Sequence, residues 1–62
     1  MTDDKSTIEA AYGDALKGLY KVMMSSYSAA EGNKAVEKKA DDSFKAGLAL
    51  ASKVRDRALA LL

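Results

Sequence analysis

The side chains that most often carry enzyme chemistry are missing from this 62-residue chain, which has no histidine and no cysteine. Without imidazole, no side chain titrates near neutrality unaided. Without imidazole or thiolate, a structural zinc has no credible ligands, disulfides are excluded, and the redox compartment is left undetermined. Carboxylates remain. Asp41-Asp42-Ser43 gathers two of them, but lacks the alternating oxygen ligands and central glycine of a calcium loop. Asp41 stands four residues before Lys45 and Asp42 four after Lys38, the spacing of solvated ion pairs on a helix. Lys21 and Ser25 are one helical turn apart, yet nucleophilic catalysis also needs a pocket and an oxyanion site. The four glycines are scattered singly, so no loop cradles a phosphate. The expectation is a protein that is not an enzyme and holds no cofactor or metal.

The basic residues could serve a different chemistry. Lys17 and Lys21 share one helix face, Lys38 and Lys45 another, and Arg55 and Arg57 cluster near the end. Such rows suit the backbone of RNA or DNA. Asp14, Asp41, Asp42 and Asp56 interrupt them, and ten basic against nine acidic residues leave a net charge of +1. A mixed-sign helix surface accounts for the pattern without a ligand. Nucleic-acid binding through Lys17, Lys21, Lys38, Lys45, Arg55 and Arg57 is therefore the alternative reading.

The primary one uses apolar groups. Tyr20, Met24, Tyr27 and Leu48 fall at the edge of the helical stripes, where a two-helix unit leaves side chains half covered. Tyrosine and methionine are enriched at the cores of protein interfaces. Phe44 is central to its helix, and Leu61 and Leu62 have no apolar partner in their own chain. These seven residues are the candidate oligomer or partner interface, and the expected function is a small binding, scaffolding or regulatory protein. Its partner would be a second copy, a dimer above all, or another helical protein.

What positions these residues is a pair of helices about a central turn. Ala30-Glu31-Gly32-Asn33 combines a left-handed helix terminator, Gly32, with a good N-cap, Asn33. Residues 1–6 read as a flexible polar tail. Ser6 and Glu9 fit a capping box that starts the first helix at about Thr7, with the helix running to about residue 31. The stripe Ile8, Tyr12, Ala15, Leu16, Leu19, Val22, Met23, Tyr27 and Ala30 recurs at three- and four-residue spacing. The second helix, about 34–62, carries Val36, Ala40, Phe44, Gly47, Ala51, Val54, Ala58 and Leu61, with Leu48 and Leu50 on the flanks.

Its centre is small at Ala40, Gly47, Ala51 and Ala58 where the first helix is bulky at Tyr12, Leu16, Leu19, Met23 and Tyr27. Large faces small, which favours packing of the two stripes on each other. Reversal at Gly32 then sets Leu19 near Phe44 and Gly47, and Tyr12 near Ala51 and Val54.

One continuous helix in a long coiled coil is the rival, since a faint similarity at an offset of four heptads keeps the stripes in register. Its seam would run through Ser26, Ala29, Asn33 and Ser43, which fill space poorly. The fold class expected is all-α: an antiparallel two-helix hairpin that pairs into a four-helix bundle. The plan resembles that of paired-hairpin plasmid regulators in architecture, with no residue motif in common. No apolar run approaches the ~20 residues that span a bilayer, and the polar start lacks a secretory signal. The expectation is a cytoplasmic protein.

Overall fold

The computed structural model describes residues 3–62. The chain is all-α, an antiparallel hairpin of α1 (Asp4–Ala30) and α2 (Lys34–Ala60). The Cα trace measures 48 × 18 × 7 Å, so the molecule is one layer of helices thick. The continuous-helix alternative is thereby excluded.

The first helix starts earlier than the capping box at Ser6 predicts. Asp3 is the N-cap, its carboxylate accepting from the Lys5 amide at 3.1 Å. Ser6 sits in the first turn, its hydroxyl donating to the other Asp3 oxygen at 3.2 Å. A carboxylate also complements the positive helix N-terminus, an advantage the Ser6 hydroxyl lacks. Of the six residues expected as a tail, Asp3 to Ser6 are thus part of the helix start. Met1 and Thr2 lie outside the described residues.

At the turn, two residues share the left-handed region where one was expected. Glu31 ends α1 with φ 49° and ψ 44°, and Gly32 follows with φ 80°. The Asn33 amide then donates to the Ala30 carbonyl at 2.9 Å. Asn33 caps α2 as its sequence position predicts: Oδ1 accepts from the amides of Ala35 and Val36 at 3.0 and 3.3 Å. The second helix stops at Ala60 rather than at the chain end. The Leu61 amide is shared between the Arg57 and Ala58 carbonyls, a bifurcation typical of helix ends.

The seam between the helices is narrow. Half-buried Ile8, Tyr12, Leu16, Leu19 and Met23 meet half-buried Phe44, Gly47, Leu48, Ala51 and Ala58. Among the described residues, Ala30 and Ala40 are the buried ones, and no side chain is fully buried. Val22, Val36 and Val54, assigned to the stripes by periodicity, are 64%, 40% and 58% exposed. At Val54 the cause is the roll of α2, which turns Arg55 instead of Val54 toward α1. The Arg55 guanidinium lies 4.3 Å from the centroid of the Tyr12 ring, where the ring face attracts a cation. The Tyr12 hydroxyl reaches Ser52 Oγ at 3.2 Å, which fixes the same rotation.

Candidate functional site

A hairpin one layer thick has two broad faces, and the side chains on them differ in kind. The first face carries the aromatic and sulfur groups. Tyr20, Met23, Met24 and Tyr27 line one shallow depression, and Leu16, Lys17, Tyr20, Lys21 and Phe44 line its neighbour. Tyr20 and Met24 are 58% and 57% exposed. This face also holds polar anchors. The Tyr27 hydroxyl donates to the Asp41 carboxylate, and that bond, with the nearby charge of Asp41 and Glu37, pushes the Tyr27 pKa from 10.0 up to about 12. The phenol is held neutral because ionising it would set an anion against a carboxylate.

The structure therefore brings together Tyr20, Met24, Tyr27 and Phe44 from the expected interface. Leu48 is half-buried one turn past Phe44. Leu61 and Leu62 are well exposed at the far end, beyond α2.

The second face is aliphatic, and sequence periodicity concealed it by counting its valines as core. Leu19, Val22, Met23, Ser26, Ser43 and Phe44 line a depression near the turn. Ile8, Ala11, Ala15, Ala51, Val54 and Ala58 line another, of about 250 Å³, toward the termini, together with Tyr12 and Arg55. Leu50 lies between them and is 62% exposed. Along α2 this face is one row, Val36, Ser43, Leu50, Val54 and Leu61, with steps of seven or four residues. On α1 it is Ala15, Val22 and Ala29 in steps of seven. Those heptad rows were the available signal, since steps of seven return to the same side of a helix.

The candidate nucleic-acid residues are not gathered on one face. Lys17 and Lys21 are exposed on the outer side of α1, and Lys38 and Lys45 on the outer side of α2. Lys17 is 4.0 Å from Asp14, Lys38 is 3.1 Å from Asp42, and Arg55 is 2.9 Å from Asp56. The bond from Asp56 pushes the Arg55 pKa upward, as expected for a guanidinium donating to a carboxylate. Exposed pairs like these add little stability, but each places an anion beside a cation that phosphate would have to reach.

Among the described residues no cluster of carboxylates has the geometry to hold a metal ion, and no helix is long and apolar enough to cross a membrane. No family model matches the chain, no curated protein resembles it, and no solved structure matches it.

Proposed function

We propose that this chain is a small, non-enzymatic helical interaction protein that acts by self-association, two hairpins pairing into a four-helix bundle. The observation that carries this reading is the absence of any fully buried side chain among the described residues. A domain of about 60 residues is marginal even with an ordinary core. Among the described residues nine large apolar side chains from both helices and the C-terminal end are exposed, and an apolar face without a second layer must find cover. A four-helix bundle supplies that layer. Nucleic-acid binding through Lys17, Lys21, Lys38, Lys45, Arg55 and Arg57 has less support, because the hairpin disperses these cations and sets carboxylates beside three of them.

Thermal melting followed by circular dichroism tests the proposal. Association coupled to folding makes the midpoint rise with protein concentration. A midpoint independent of concentration contradicts it. Retardation of RNA or DNA that weakens steeply with added salt would instead favour the nucleic-acid reading.

A further inference from the structure

We propose that the aliphatic face is the self-association surface, and that two copies meet there with their turns at the same end, so that α1 of each packs on α2 of the other. The inference rests on the self-association reading above and specifies which face and which arrangement it uses.

The register of the hairpin carries the argument. Tyr12 bonds Ser52, Leu19 meets Gly47, and Tyr27 bonds Asp41. Interpolating between these contacts, Ala11 is level with Lys53, Ala15 with Leu50, Val22 with a point between Phe44 and Lys45, and Ala29 with a point between Lys39 and Ala40. A two-fold axis parallel to the helices preserves those levels across the interface. Ala15 then opposes Leu50 of the partner subunit, and Ala11 lies next to the level of the partner's Val54. Val22 lies within half a turn of Ser43 of the partner subunit. In these layers a larger side chain meets a smaller one, the condition for interdigitated packing.

Charge points the same way. Lys39, Lys53 and Arg57 form the outer edge of this face on α2, while α1 carries Asp4 and Asp14 along its own edge, Asp14 lying 4.0 Å from Lys17. With turns at the same end, Asp14 lies within a turn of the partner's Lys53, and Asp4 within a turn of the partner's Arg57. With turns at opposite ends, α2 would lie on α2 and the Lys39, Lys53, Arg57 edge would meet its own copy. Like charges juxtaposed at an interface are a strong device against the wrong pairing. The footprint is also sufficient: 48 by 18 Å of backbone is on the order of the ~800 Å² per partner of a stable interface. The opposite face carries Glu37 and Asp41 beside Tyr27, and burying those charges would cost desolvation.

Because the chain has no cysteine, single cysteines can report the arrangement. Ala11 and Lys53 stand on opposite outer edges of one hairpin, yet become neighbours across the proposed interface. An equimolar mixture of the Ala11→Cys and Lys53→Cys variants, oxidised and analysed by intact mass, should give the heterodisulfide well above its random proportion. Val22→Cys mixed with Ser43→Cys should do the same nearer the turn, which guards against failure of either variant to fold. Preferential linkage of Ala11→Cys to Ser25→Cys would overturn the proposal in favour of turns at opposite ends. No preferential linkage, with the unmodified chain still sedimenting as a dimer, would show that another face is used while self-association stands. A single-copy mass for the unmodified chain would remove both.

Discussion

Gly47 of α2 stands directly against Leu19 of α1. A Cβ added at residue 47 would run into Leu19 Cδ2 and lie 3.4 Å from Cδ1. The glycine is therefore what leaves room for the Leu19 side chain at mid-length. Gly13 has nothing within 4 Å of the corresponding position. Alanine there should stabilise the protein by about 1 kcal/mol through helix propensity alone. Gly47→Ala gains the same propensity but displaces Leu19, a rearrangement that typically costs about 1–3 kcal/mol in a packed seam. Urea melts should rank Gly13→Ala above the wild type and Gly47→Ala below Gly13→Ala by at least 1 kcal/mol.

The turn stores a removable cost. Glu31 holds φ 49°, a left-handed conformation that penalises a side chain by about 1–2 kcal/mol. Glu31→Gly should stabilise the hairpin by roughly 1 kcal/mol, the penalty less the greater freedom of glycine when unfolded. Asn33→Ala removes the acceptor for the Ala35 and Val36 amides and should destabilise by about 1 kcal/mol. Thermal melts at matched concentration would check both signs.

Tyr27 gives a pH signature. Its pKa is raised from 10.0 to about 12, chiefly by the bond to Asp41. Below pH 10 the phenol is neutral in both folded and unfolded chains, and the stabilisation is fully present. Between 10.0 and about 12 the unfolded chain releases the proton first, so that stabilisation is lost as pH rises. Tyr27→Phe should lack this component of alkaline destabilisation. Tyrosinate absorbance should show a late-titrating phenol, and its disappearance in the variant would assign it to Tyr27.

The turn and the register were legible in the sequence because local chemistry decides them. Asn33 followed by an amphipathic run is a strong start signal, and bulk on α1 against small residues on α2 led directly to Leu19 opposite Gly47. The first cap was misplaced because two motifs compete within four residues, and the carboxylate of Asp3 prevails over the hydroxyl of Ser6. The faces were harder to read. Periodicity gives the width of an apolar stripe but not how much of it one partner helix covers. Val22 and Val54 lie within the stripe and outside the seam, and at Val54 it is Arg55 that takes the place beside Tyr12.

The two faces make opposite predictions for charge insertion. Leu50→Glu puts a carboxylate in the middle of the aliphatic row and should abolish dimer formation. Tyr20→Glu changes a residue of comparable exposure, 58% against 62%, on the opposite face, and should leave the mass unchanged. Size-exclusion chromatography with light scattering would separate the outcomes. Dissociation by Tyr20→Glu alone would place the contact on the aromatic face.

Sedimentation equilibrium on the unmodified chain is the most direct test that self-association completes this fold. The account predicts a concentration-dependent mass approaching twice the 6.6 kDa of one chain, with helicity lost on dilution. A fixed mass of 6.6 kDa, together with helicity and melting that do not change on dilution to low micromolar concentration, would contradict it.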